Sequence, residues 1–228
     1  MKKLKRKLGQ FYWNAVKTFH HCRHCFKKNA QSFANWLRGF RRYAWDLSAA
    51  ESAHSVVVCA HPDDETIFFY SVLRKEKPFV ICMSGRGNRI RFQEFHNALE
   101  AQGVHGMLLN MPDVPHMVWA WRLFGAFALK KAAKHCHAAH QIYTHSNTGE
   151  SLHPHHYATH AAATKAFSNC RIISTAAIIP NNGDGTLSPE DIRRKHGILK
   201  ACYPSQMKML ETWCPWWDSY LKTEFFKE

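Results

Sequence analysis

The chain has 228 residues, 46% hydrophobic and 13% aromatic, which excludes disorder throughout and leaves room for one domain with a core plus an appendage. Its net charge of +14 is unevenly placed: residues 1–45 hold 12 of the 31 Lys and Arg and no Asp or Glu, leaving 19 basic against 17 acidic residues beyond them. The body is therefore near neutral, and the charge does not mark it as a binder of polyanions.

In chain order, the first stretch is basic and amphipathic. Leu4, Leu8, Phe11, Ala15 and Phe19 fall at helical spacing, as do Phe33, Trp36 or Leu37, and Phe40, with cations between them. Such a pattern over residues 1–50 suits an anionic membrane surface reached through residues 1–45, and hence a peripheral position on an inner membrane face. It equally suits a helix that packs its apolar side on the domain, and both readings stay open. Basic charge attracts any polyanion, but no recognition motif is present, so no specific nucleic acid is expected. The start lacks an apolar run followed by a small-residue cleavage site, as a signal peptide requires.

Cys22 and Cys25 form a Cys-x-x-Cys, which is half a zinc site; the three histidines among them make a cramped cluster, and a solvated face is the plainer reading. The remaining cysteines are scattered, and Cys59 and Cys82 fall in apolar strand-like runs. That usage fits free thiols in a reducing, cytoplasmic setting rather than a disulfide scaffold.

From residue 51 to 228 the rhythm is strand, loop, helix, repeated. The pattern predicts strands at 55–60, 78–84, 106–111, 141–145 and 171–179, and helices near 66–75, 90–102, 117–139, 155–168 and 189–202. The apolar window within 117–139 is too short to cross a membrane and contains Arg122. Gly103 reads as a helix C-terminal cap, and residues 181–185 as a flexible loop at the rim. Continuous apolar strands alternating with helices predict an α/β, Rossmann-like, mostly parallel sheet covered on both faces. Right-handed crossovers would put every strand's C-terminal end on one edge.

Two segments place chemistry at that edge. Ala60-His61-Pro62-Asp63-Asp64-Glu65 lies between the first strand and its helix. The three acids could simply cap the helix and favour its positive end, but an imidazole beside them suits a divalent metal. The second segment runs from Thr144 through Glu150 to His153-Pro154-His155-His156 and opens a helix at the proline. His153 and His156 are three apart, so both could face one point. Singly, each histidine is more often a surface residue than a ligand; two ligand-rich turns on one edge predict an open catalytic metal site.

With these motifs the chain resembles the PIG-L/LmbE-like zinc-dependent de-N-acetylases, which include deacetylases of GlcNAc conjugates. The resemblance covers roughly residues 54–205; Arg91-Phe-Gln-Glu94 and Tyr203-Pro-Ser-Gln206 also resemble family elements. It implies His61, Asp64 and His156 as ligands of zinc, or of Fe²⁺ or another divalent metal, and Asp63 as general base. It further implies His153 as a catalytic imidazole, serving the oxyanion or the departing amine, and Arg91 and Asp113 as contacts to an N-acetylated sugar conjugate. Ser151 stands where the family often has a tyrosine, and His155 where it has an aspartate that is not a ligand. The implied activity is hydrolysis of the N-acetyl group of an amino sugar. A non-sugar amide substrate, or a metal-free relative that only binds a glycan or membrane, are the alternatives.

Overall fold

The computed structural model describes residues 43–44, 47–114, 117–175, 185–214, 216–224 and 226–227. The amphipathic reading of residues 1–42, the Cys22/Cys25 pair and the loop before Gly185 lie outside the described residues. Strands β1 (Tyr43–Ala44), β2 (Ser55–Cys59), β3 (Phe79–Ser84), β4 (Gly106–Met111), β5 (Gln141–Thr144), β6 (Arg171–Thr175) and β7 (Phe226–Lys227) form one sheet in the order β1-β4-β3-β2-β5-β6-β7. The five strands from β2 to β6 run parallel, and the two-residue strands β1 and β7 cap the edges antiparallel.

Strand alternation divides the core in two. Val57, Cys59, Val80, Cys82 and Leu108 face one side, under α2 (Asp64–Glu76), α3 (Arg89–Gln102), α6 (Pro189–Cys202) and α7 (Pro204–Trp213). Val56, Val58, Ile81, Met83 and Met107 face the other, under α1 (Leu47–Ser52), α4 (Ala126–Ala133) and α5 (Pro154–Ala166). Both faces are therefore covered, which is why these strands read as unbroken apolar runs. Cys59 and Cys82 are buried free thiols.

The sheet grows from β2 to β3 and β4 in one direction, then restarts with β5 and β6 on the other side of β2. The carboxyl ends of β2 and β5 flank this reversal, where open α/β sheets leave a crevice. Gly103 adopts the left-handed conformation (φ 61°) and caps α3 as its sequence position predicts. The helix expected over 117–139 is instead a turn at Val118–Ala120, a π-helical turn at Trp121–Gly125 and α4, ending at Ala133. The wider turn keeps the Trp121 indole inward, where its N–H donates to the Pro112 carbonyl at 2.8 Å. The described part of the last predicted strand ends at Thr175.

The C-terminal region, with α8 (Trp217–Lys222) and β7, is anchored by a buried charge pair. Lys195 of α6 donates to Glu224 at 3.1 Å and to the Tyr220 carbonyl at 2.7 Å, while Glu224 also accepts from the Ser71 N–H at 2.9 Å. Lys195 is fully buried, so removing it strands a carboxylate away from water. Lys195→Met is expected to lower stability by about 3–5 kcal/mol, and Lys195→Met/Glu224→Gln by clearly less, as read by denaturant unfolding. Equal losses in both variants would contradict this view of the pair.

Candidate active site

His61 leaves β2 at the sheet's carboxyl edge, and α2 begins at Asp64. Asp63 does not cap that helix with its side chain; its backbone takes a positive φ of 114°, a conformation a non-glycine residue adopts only under surrounding constraint. This turn points consecutive carboxylates in different directions. Asp64 faces back, accepting the His61 backbone N–H at 2.7 Å through Oδ2. Asp63 pairs with Arg91 at 3.2 Å. Glu65 is fully buried and accepts from the Asp63 N–H, the Thr66 hydroxyl and the Tyr203 hydroxyl, making it a structural brace.

The histidines around Asp64 have their tautomers set by partners that can only donate or only accept. His155 Nε2 lies 3.1 Å from the Val114 carbonyl, so it carries the proton and donates. Burial pushes His155 down to about 3, so the ring is neutral and its Nδ1 accepts. That atom is 2.9 Å from His61 Nε2, which must therefore be the donor. His61 Nδ1 is left with a lone pair 3.0 Å from Asp64 Oδ2. On the other side, His156 Nδ1 donates to Glu150 at 2.7 Å, leaving Nε2 bare and 3.4 Å from the same Asp64 oxygen. Glu150 also accepts from His145 Nδ1, the Ser146 N–H and the Thr175 hydroxyl. His145 Nε2 is already engaged by the Ala60 N–H at 3.0 Å.

Two lone pairs and a carboxylate oxygen thus converge, an arrangement that is repulsive until a proton or a metal ion sits between them. The candidate ligand atoms of His61, Asp64 and His156 all lie within 4.8 Å of one another. Two imidazole nitrogens and a carboxylate are a donor set that suits zinc, with further positions left open to water or substrate. The groups His61–His153–His155 and His145–Glu150–His156 meet the same distance, but His155 Nδ1 and Glu150 are satisfied by N–H donors. Although burial opposes it, His156 and His61, charged when protons rather than a metal ion fill the gap, hold the Asp64 carboxyl well below the usual range. Burial pushes Asp63 up to about 7 against the lowering pull of Arg91; a bound cation would favour its charged form.

His61, Asp63, Asp64, Arg91, Asp113, Glu150, His153 and His156 line one cavity of about 280 Å³, so all seven residues expected from the sequence reach the same space. His153 stands beside the cluster, its ring 5.0 Å from that of His61 and its Nδ1 buried without a hydrogen-bond partner. Burial is the main cause that pushes it down to about 3. Asp113 is half-exposed and 3.5 Å from His61 Nε2. Arg91 is largely spent on its neighbours: besides Asp63 it donates to the Pro62 carbonyl and to Glu94. Glu94 in turn accepts the Ser205 N–H at 2.8 Å and hydroxyl at 2.7 Å, tying α7 to the site. The loop before His153 turns at Gly149 (φ +70°), where an added Cβ would lie 2.6 Å from the His153 carbonyl oxygen.

Sequence reasoning gave no role to His145 or Glu150, although both sit in the second motif, and set His155 aside. Chemically, the arrangement can hold a cation and present a carboxylate and an imidazole to one ligand. Residues 56–167 match the family model described as PIG-L: GlcNAc-PI de-N-acetylase. Among solved structures, the A40926 pseudoaglycone deacetylase Dbv21 is 14% identical, with 76% of this chain and 94% of that one covered and a TM-score of 0.57. A deacetylase triple mutant involved in the teicoplanin biosynthetic pathway is 16% identical, covering 74% and 89%, with a TM-score of 0.58. At such identities the likeness shows the α/β fold. No curated protein sequence matches the chain.

His155 stacks on Trp121, with centroids 4.4 Å apart at 10°. His155→Phe keeps that stack and removes the acceptor for the His61 N–H. Zinc affinity, measured by competition with a chelator, is expected to fall about 10–100-fold, the range for an outer partner of a ligating histidine. Unchanged affinity would contradict the tautomer chain.

Proposed function

We propose that this protein is a metal-dependent hydrolase that removes the N-acetyl group from an N-acetylated amino sugar conjugate, with residues 51–228 forming the catalytic domain. The observation that carries this reading is the pairing at one cavity of a cation-binding cluster with a separate, buried carboxylate, Asp63. The family description and the deacetylases among the structural neighbours support the same class of reaction.

His61, Asp64 and His156 would hold the metal. Zinc fits the donor set, and Fe²⁺ would fit it as well, since ligand type alone does not select between them. When bound, the metal supplies Lewis-acid polarisation of the amide carbonyl and makes water a usable nucleophile near neutral pH. Asp63 takes the proton from the attacking water, as a carboxylate within hydrogen-bond reach can. Arg91 holds Asp63 in place. His153, neutral and close by, donates an N–H to the oxygen that gains charge as the carbonyl carbon becomes tetrahedral. The C–N bond then breaks, the nitrogen keeps the electron pair and takes the proton that Asp63 received, and acetate and a free amine leave. Asp113, half-exposed at the cavity, is suited to accept from sugar hydroxyls; Arg91 lines the same cavity, and only an N–H not already given to Asp63, Pro62 or Glu94 would be left to contact a hydroxyl or phosphate. Residues 1–45 would add a basic contact to an anionic surface.

Asp63→Asn keeps the shape of the residue and removes its basicity. It is expected to retain metal near the wild-type level and to lower kcat for deacetylation of N-acetylglucosamine conjugates by roughly 10²–10⁴. Asp64→Ala and His156→Ala should lose metal and activity together, measured by elemental analysis and release of free amine. Near-normal turnover in Asp63→Asn would overturn the base assignment; zinc loss there would mean that the two aspartates have exchanged roles.

A further inference from the structure

The helical stretch from Val118 to Ala133 has two unlike faces. Inward, Ala120, Trp121, Leu129 and Ala132 are buried, and Trp121 packs on His155 beside the candidate metal site. Outward, Trp119, Leu123, Phe124 and Phe127 remain 47%, 67%, 45% and 61% exposed. Arg122, Lys130, Lys131 and, just past the helix, Lys134 are exposed alongside them. Lys131 lies over the Phe127 ring at 4.2 Å, and Arg122 reaches the Tyr157 hydroxyl at 2.7 Å, so cations and apolar side chains share one surface. Between Asp113 and Glu150 the sequence contains no acidic residue. Scattered exposed apolar residues need no explanation, but four large ones on one helical stretch, interleaved with cations, do.

We propose that this outward face docks on an anionic lipid bilayer, with Trp119, Leu123 and Phe127 entering the headgroup boundary and the flanking cations meeting lipid phosphates. Large apolar side chains backed by Lys and Arg are what an interfacial helix uses. Charge separates this occupant from the alternatives. A second copy would place the same cationic face against itself across a two-fold axis, in a chain whose net charge is already +14. The segment before the domain carries the same sign, with 12 Lys and Arg and no acid in residues 1–45, so it repels this face as well. An anionic bilayer complements both. The surface also forms the outer side of the element that supports His155, so docking would bring the membrane to the wall of the site. The proposal does not depend on which reaction the site performs.

The test is flotation of the full chain with vesicles of phosphatidylcholine alone or mixed with phosphatidylglycerol. Wild type is expected to bind the mixed vesicles and to be released by salt. Leu123→Asp/Phe127→Asp should weaken binding about tenfold or more, and Lys130→Glu/Lys131→Glu should weaken it similarly and flatten the salt dependence. All four positions are exposed, so the melting temperatures of these variants should match wild type; Leu123→Ser/Phe127→Ser replaces the first pair if it does not fold. Deacetylation of a small soluble substrate serves as a separate readout, so that failure of the reaction assignment is not mistaken for failure of docking. Undiminished vesicle binding in both variants would overturn the proposal. A wild-type dimer in light scattering that becomes a monomer in the Leu123→Asp/Phe127→Asp variant would overturn it in favour of a second copy.

Discussion

One carboxylate oxygen organises this protein. Asp64 Oδ2 accepts the His61 backbone N–H at 2.7 Å and faces bare nitrogens of His61 and His156 at 3.0 and 3.4 Å. Buried lone pairs aimed at a buried anion are costly unless a cation joins them. Their surroundings prevent the rings from escaping that encounter. The Val114 carbonyl fixes His155, and His155 fixes His61; Glu150, held by Ser146 and Thr175, fixes His156. These supports come from the ends of β4, β5 and β6, so the sheet reversal beside β2 sets the polarity of the cluster as well as its position.

A second line of support holds Asp63 apart from its neighbour. The positive φ at Asp63 aims its carboxylate toward Arg91, and Arg91 is gripped by Glu94, which anchors the first turn of α7 through Ser205. Tyr203, at the start of the same helix, donates to Glu65. The late sequence elements therefore act at a distance from the histidine cluster, by stiffening the turn that aims Asp64 at the histidines and Asp63 at Arg91. Under the proposed function, preorganisation of this kind would keep the Asp63 carboxylate within hydrogen-bond reach of the attacking water without a reorganisation cost during reaction.

Much of this was legible in the sequence, for identifiable reasons. Strand–helix alternation from residue 55 onward follows from apolar runs of strand length separated by helix-length periodic segments, and β4 and α6 have the bounds their patterns predict. The two motifs were readable because adjacent ligand-type residues after a strand are local features. What was not readable depends on tertiary contact. The π-helical turn at Trp121 answers to packing against His155. The two-residue edge strands have no periodicity to detect, and Tyr43–Ala44 joins the sheet only by pairing with β4. His155 looked incidental because nothing in its spacing reveals that its ring lies between His61 and a carbonyl 41 positions earlier in the chain. Glu150 likewise gains its role only when four donors from separate places meet it.

The most direct test of this account is an anomalous difference map at the zinc edge, from crystals of the protein purified with zinc. The account predicts one peak at about 2.0–2.2 Å from His61 Nδ1, Asp64 and His156 Nε2, with the His155 ring still between His61 Nε2 and the Val114 carbonyl. A peak held by His153 and His155 instead, or fully loaded protein with no peak beside Asp64, would contradict it.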